Sequence, residues 1–350
     1  MAAKTGKAQT DRFFRKLWEF IIAIISYGLF TVYLYQPYLK DLDLKPLCVL
    51  LNAFLAALGC YLLSRRWVAS FPAALFAGGI YGFSPFALGL GMYQATGGMV
   101  FAAVPWMFCP AAFWQQILSN HTGPKRHEYP LITAGLALLP FVIIILIFSI
   151  LGSPHFRLFP IPIQAKLRLT DMLGLLSIYK NPGGGSVPFG FYHLPIAALV
   201  MGLAIFFAAH RPGPIIIFTL GLVLTFSNSI LNVSPLIWTA VPLVCCSILI
   251  GLGIQALAWS TSADKGWLLI CACVTGLCAV VTMTLGLRGQ SIFFQDAVMF
   301  ALAAILVLII FFMARGGQRI HWFRWLLLSA AFLLDISIGA RHIIETIFVS

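Results

Sequence analysis

The sequence predicts an all-α fold, a polytopic transmembrane helical bundle of about eleven spans with one long loop outside the membrane. Of its 350 residues, 61% are hydrophobic and only 9% are charged, and the mean hydropathy is +0.98. The surface of a soluble domain alone needs about 25–35% charged residues. Apolar runs of roughly 17 to 25 residues, long enough to cross a hydrocarbon core as helices, recur along the whole chain. Residues 1–350 are therefore predicted to form a single integral membrane domain.

The apolar runs locate the individual spans in chain order. The sixth and seventh are short, and Pro212 and Pro214 lie between them, so the count is sensitive to how these two are treated. The predicted spans are 18–38, 47–64, 70–92, 98–116, 131–152, 195–209, 214–228, 236–258, 267–286, 296–314 and 325–343.

The distribution of Lys and Arg predicts a cytoplasmic N-terminus, because these residues resist translocation. With residues 1–17 as a cytoplasmic tail, the inner segments hold 14 of the 22 Lys and Arg residues. The net charge of +12 is explained by this topology. It does not indicate nucleic-acid binding, since the basic residues are scattered over loops.

The longest polar stretch, residues 153–194, is predicted to be an extracytoplasmic loop that contains an interfacial helix. Leu169, Met172, Leu173 and Leu176 have the i, i+3, i+4, i+7 spacing of one helix face. The basic residues of this loop could hold a lipid-linked phosphate, or they could simply be the charged face of a helix on the membrane surface. The candidate phosphate-binding residues are Arg157, Lys166, Arg168, Lys180 and His193.

Two patterns in the apolar spans are explained by packing. All eight cysteines fall in or beside these spans and are predicted to be small packing residues, so neither a disulfide framework nor a metal site is expected. The stretch Gly251-Leu-Gly253-Ile-Gln-Ala256 matches a dinucleotide-binding pattern in letters only, because it lies inside an apolar span. Small residues at this spacing allow helices to approach closely.

Asp335 lies within the last predicted span, where a carboxylate needs a polar cavity or a partner. It is either a functional intramembrane residue or a hydrogen-bonded structural one. Arg341 and His342 are too far along the helix to pair with it through i,i+4 spacing.

Asp41 and Asp43 lie in the short stretch YLKDLDLKPLC between the first two spans. The predicted topology places them on the outer side. A carboxylate there could accept a proton from a hydroxyl group or help to hold a divalent cation. The neighbouring Lys40 and Lys45 are equally typical of an ordinary solvated turn.

Residues 52–114 resemble bacterial membrane glycosyltransferases of the GT-C architecture and their uncharacterised relatives. The shared features are Asn52 near the start of the second span, the YLLSRR end of that span, the GGIYGFSP segment, a polar bend, and VPW in the fourth span. Residues 169–203, which run through an aromatic-Gly-aromatic turn, and residues 234–257 resemble other parts of the same proteins.

The resemblance implies a multi-pass protein of the cytoplasmic (inner) membrane that transfers a sugar from a polyprenyl-phosphate donor on the outer face. It implies that Asp41 and Asp43 act as catalytic base or as ligands of a divalent cation. Only about ten residues separate the first two spans, fewer than the family's first outer loop usually has, and the chain lacks the soluble C-terminal domain that many members carry.

Two alternatives to an enzyme remain open. One is a non-catalytic protein that handles a lipid or envelope precursor, or that serves as a scaffold for other membrane subunits. A proton-coupled transporter is a weaker option, since only Asp335 is ionisable in mid-membrane.

Overall fold

The computed structural model describes residues 2–36, 44–93, 95–120, 130–151, 195–208, 212–227, 233–288, 292–314 and 320–349. Helices make up nearly all of these residues. They are α1 (Ala2–Tyr35), α2 (Leu44–Ser64), α3 (Phe71–Gly82), α4 (Pro85–Tyr93), α5 (Ala95–Asn120), α6 (Pro130–Leu151), α7 (Ile196–Ala208), α8 (Pro212–Phe226), α9 (Pro235–Trp238), α10 (Ala240–Trp259), α11 (Lys265–Leu287), α12 (Ile292–Met313) and α13 (His321–Val349).

Within the described residues, eight helices are long and apolar enough to cross a membrane. A ninth crossing is counted if α3 and α4, bent by 42° at their junction, form one broken span. Each of the eleven predicted spans coincides with a helix or with this bent pair, which confirms that the apolar runs are helical. The count of eleven stays a prediction, because α7 and α8 are shorter than the roughly 20 residues that a spanning helix needs.

Helix α10 forms the centre of the bundle and contacts α3, α7 and α8. In its apolar segment 78% of the residues are buried, compared with 22% for α6 and 28% for α11 and for α12. The outer helices present large apolar side chains such as Leu287 and Phe312, which are 70% and 68% exposed. Exposed apolar surface of this extent is expected where helices face lipid instead of water.

Glycines allow α7 and α10 to cross at very short distance. A Cβ atom at Gly253 would lie 1.7 Å from the carbonyl oxygen of Ala198, and one at Gly202 would lie 1.9 Å from that of Leu249. A Cβ at Gly251 would lie 2.9 Å from the Cβ of Ala77 in α3. These contacts confirm that the small residues of the segment 251–256 serve helix packing.

The bend between α3 and α4 follows from local sequence. Pro85 at the start of α4 has no N–H and cannot continue the hydrogen bonding of α3. The hydroxyl of Ser84 compensates in part, because it accepts a hydrogen bond from the Ala87 N–H at 3.1 Å. Ser84 is 4% exposed, so the break in the helix is buried within the protein, where irregular backbone at membrane depth is tolerated.

Long-range contacts assign the helix ends to two sides of the bundle. Glu19 in α1 pairs with Arg65 after α2, and Ser70 before α3 is hydrogen-bonded to Gln255 near the end of α10. His321 at the start of α13 contacts the ring of Trp259 at the end of α10. We call this side the inner end and the opposite side the outer end, following the predicted orientation, which itself stays a prediction.

Candidate functional site

Seven of the eight candidate site residues lie outside the described residues. They belong to two segments, 37–43 between α1 and α2 and 152–194 between α6 and α7, which the sequence predicts to lie on the outer side. The residues are Asp41, Asp43, Arg157, Lys166, Arg168, Lys180 and His193.

Asn52 is a polar residue of α2 that follows Asp41 and Asp43 in the chain. It is eight residues from the first residue of α2, about 12 Å along the helix axis, between the buried Val49 and Ala53. Its Nδ2 atom is buried and has no hydrogen-bond partner within the described part of the chain. A Cβ at Gly98 of α5 would lie 3.2 Å from this nitrogen, so the amide lies against the backbone of α5.

Thr96 in the first turn of α5 is a second buried polar group at the outer end. The residue is 8% exposed, and its Oγ1 makes no hydrogen bond with any described residue. Gly91 and Gly98 allow α4 and α5 to approach closely beside it, since a Cβ at Gly98 would lie 2.6 Å from the Cα of Gly91.

Asn52 and Thr96 form what we call the outer polar pair. A polar group left unpaired in an apolar environment costs roughly 1–3 kcal/mol. Native proteins therefore supply such groups with a partner, and water or a ligand serves where side chains do not. Asn52 lies in the first half of α2 and Thr96 in the first turn of α5, and Asp41 and Asp43 precede α2 in the chain.

A further buried polar pair lies at the junction of α9 and α10. Trp238 is 1% exposed and Thr239 is 3% exposed. The indole N–H of Trp238 and the hydroxyl of Thr239 both lack a hydrogen-bond partner among the described residues. The Trp238 ring stacks on Phe141 of α6 at 5.7 Å, and Phe141 contacts Phe108 of α5, which places this pair near the middle of the bundle.

Asp335, the eighth candidate, is placed by the structure next to the bend between α3 and α4. Together with Phe83, Ser84 and Gly339 it lines a small cavity of about 20 Å³, enough for one water molecule. An ionisable residue beside a broken helix is an arrangement that membrane proteins use for ion or proton binding. The same arrangement fits a hydrogen-bonded structural carboxyl group, so both interpretations of Asp335 remain open.

Arg324 holds three helix ends together at the inner end. The residue is 4% exposed, and its Nη1 donates to the carbonyl oxygen of Ser260, just after α10, at 2.6 Å. Its Nη2 donates to the carbonyl oxygen of Met313 at the end of α12. The last carbonyls of a helix lack intrahelical donors, so the guanidinium group joins the ends of α10 and α12 to α13.

In the sequence, Arg324 and Arg65 are two of the 14 Lys and Arg residues of the predicted inner segments, and Asn52 is only part of a motif. The sequence alone did not single out Glu19, Thr96 or Gln255. Charged residues are rare beside the apolar spans, so Glu19 is unusual, and this was the one sequence signal that could have marked it as a candidate. Their partners could not be read from the sequence, because they lie on other helices.

Within the described residues, no group of three or more His, Cys, Asp and Glu side chains is arranged to hold a metal ion. All eight cysteines are free thiols.

No protein-family model, no curated protein and no solved structure matches the chain. The class of protein is consequently defined by its own architecture. A chain with many long apolar helices, buried polar groups between them and lipid-facing apolar side chains is a polytopic membrane protein.

Proposed function

We propose that this protein transfers a sugar from a polyprenyl-phosphate-linked donor at the outer face of the cytoplasmic membrane, as the resembling GT-C glycosyltransferases do. The observation that supports this best is the outer polar pair, Asn52 and Thr96. In the proposal these two buried groups hydrogen-bond a polar molecule that enters from the outer end.

The region that carries the resemblance is also well packed, with 56% of the apolar segment of α2 and 61% of that of α5 buried. Residues 52–114 form most of α2 and α5 and all of α3 and α4, and they include the fully buried side chains of Tyr81, Phe83 and Phe101. Tyr81 donates a hydrogen bond to the Phe101 carbonyl oxygen at 2.8 Å. A rigid scaffold of this kind is what a site needs in order to hold its polar groups in fixed positions.

In this proposal Asp41 or Asp43 accepts the proton of the acceptor hydroxyl group. The acceptor oxygen forms the new bond to the anomeric carbon of the sugar, and the polyprenyl phosphate leaves with the electron pair of the broken bond. The basic side chains of the loop, Arg157, Lys166, Arg168, Lys180 and His193, hold the donor phosphate. A divalent cation, if the two aspartates bind one, would supply further positive charge beside that phosphate.

The test is sugar transfer from a panel of polyprenyl-phosphate-linked hexoses by protein reconstituted in membranes. Asp41→Asn and Asp43→Asn remove the basic carboxylate with little change of shape, and loss of transfer is expected when the catalytic one is replaced. Asp264→Asn is the matched control. Asp264 caps a turn at the inner end by accepting from the Thr261 N–H at 2.8 Å, and Asn can still accept this bond.

Unchanged transfer in both outer variants would refute the proposal. No transfer by the unmodified protein with any donor would also count against it. Both results would favour a non-catalytic protein that binds a lipid or envelope precursor, or that supports other membrane subunits.

A further inference from the structure

A cleft of about 460 Å³ opens at the inner end between the N-terminal part of α1, the start of α3 and the end of α10. We call it the inner cleft. It lies at the other end of the bundle from the proposed transferase site and is independent of it. Its main lining residues are Arg15, Glu19, Ser70, Phe71, Gln255 and Trp259.

Arg15 and Glu19 are the charged residues that line the inner cleft, and Arg65 pairs with Glu19 beside it. Both terminal nitrogens of Arg65 are bonded, because its Nη2 lies 2.6 Å from Glu19 Oε2 and its Nη1 donates to the Ala69 carbonyl oxygen at 2.7 Å. Glu19 is thus neutralised by a partner that is itself only 23% exposed.

Arg15 uses only one of its three guanidinium nitrogens in the hydrogen bonds that the structure describes. Only its Nε bonds to Glu19, at 3.3 Å, and its side chain is 81% exposed. Among the side chains that the structure describes, from Phe14 onward in this helix, its two terminal nitrogens make no hydrogen bond. Because Glu19 is already paired with Arg65, the Arg15 guanidinium keeps positive charge that it can present to an anion.

The neutral groups of the inner cleft are also arranged as hydrogen-bond donors. The side-chain oxygen of Gln255 accepts from the Ser70 N–H at 2.9 Å, which leaves its NH₂ group available as a donor. Ser70 is the residue before α3, so the partial positive charge of that helix start also lies at the cleft.

One side of the cleft is apolar and lies at the membrane–water boundary. Phe71 and Pro72 line it, and Trp259, which is 57% exposed, marks the end of an apolar span. Trp18 and Trp322 are 63% and 68% exposed near the same end, and exposed tryptophans are typical of the interface. A ligand of this cleft therefore meets cations and amide donors on one side and apolar surface on the other.

We propose that the inner cleft binds the phosphate head group of an anionic phospholipid. The phosphate oxygens accept hydrogen bonds from Arg15 and Gln255, while the glycerol region lies against Phe71 and Trp259. Basic pockets between transmembrane helices are known to bind such head groups. A free phosphate ion would use the donors but not the apolar side.

The experiment measures lipid binding to the full chain in mild detergent by native mass spectrometry, with phosphatidylglycerol and phosphatidylcholine as probes. The unmodified protein is expected to retain phosphatidylglycerol in preference to phosphatidylcholine. Arg15→Gln should weaken phosphatidylglycerol binding about tenfold, as expected for one lost charge-assisted hydrogen bond. Lys16→Gln is the matched control, since Lys16 is an exposed neighbouring cation that does not line the cleft, and binding should stay within about twofold.

If Arg15→Gln and Lys16→Gln lose phosphatidylglycerol binding equally, the proposal is overturned. Such a result would show general charge attraction instead of a specific site. Displacement of the lipid by a large excess of inorganic phosphate would overturn it in favour of a soluble ligand. If Arg15→Gln does not fold, the salt dependence of lipid binding to the unmodified protein is the test instead. High sodium chloride should reduce phosphatidylglycerol binding and leave phosphatidylcholine unaffected, and an unchanged preference would refute the site.

Discussion

Replacing Gly253 by alanine is expected to destabilise the protein because it forces α7 and α10 apart. The new Cβ would lie 1.7 Å from the carbonyl oxygen of Ala198, and an unstrained carbon–oxygen contact needs roughly 1.5 Å more. The clash is with backbone, so no side-chain rotation relieves it. Overpacking of this kind costs about 1–3 kcal/mol, and the separation also affects Gly202 against Leu249 at the same crossing.

Thermal unfolding in mild detergent measures the effect, with Gly276→Ala as the matched control. Gly276 lies in α11 and an added Cβ there meets nothing within 4 Å. This substitution should be neutral or stabilise the helix by up to about 1 kcal/mol. Equal unfolding temperatures for the two variants would contradict the close crossing of α7 and α10.

Two further substitutions test hydrogen bonds between helices. Arg324→Gln should lower the free energy of unfolding by about 1.5–3 kcal/mol, because the charged donors to the carbonyls at the ends of α10 and α12 are lost. Its control is Arg288→Gln at an exposed position, which should change the free energy of unfolding by less than about 0.5 kcal/mol. Tyr27→Phe removes the hydroxyl that donates to the Leu75 carbonyl oxygen at 2.7 Å and should cost about 0.5–1.5 kcal/mol; Tyr33→Phe, at a residue 55% exposed, is its control. Both are measured by thermal unfolding, and a variant that unfolds like its control would show that the corresponding contact contributes nothing.

The helices could be predicted from the sequence because membrane insertion depends on local composition. A run such as 131–152 is apolar throughout, and the structure has α6 at Pro130–Leu151. The predicted span 70–92 was correctly located as an apolar run, but its break at Ser84 was not anticipated. Pro85 was the available signal, and its effect depends on neighbouring helices that bury the bend.

The polar contacts could not be predicted because they join residues that are far apart in the chain. Glu19 and Arg65 are 46 residues apart, and Ser70 and Gln255 are 185 apart. Hydrophobic patterning gives the face of a helix that is buried but not the helix that covers it. Asp335 was recognised from its apolar surroundings alone, whereas the cavity beside it depends on where α3 and α4 pack.

Asn52→Leu, assayed for both stability and sugar transfer, tests the central claim most directly. The Asn52 amide nitrogen is buried without a partner in the described part of the chain, so an apolar residue of similar size should leave the unfolding temperature unchanged or raise it. If this amide serves the sugar donor at the outer end, transfer from the polyprenyl-phosphate donors should fall about tenfold or more. A lower unfolding temperature with undiminished transfer would contradict the account, because it would make Asn52 a structural residue and remove the main support for an outer site.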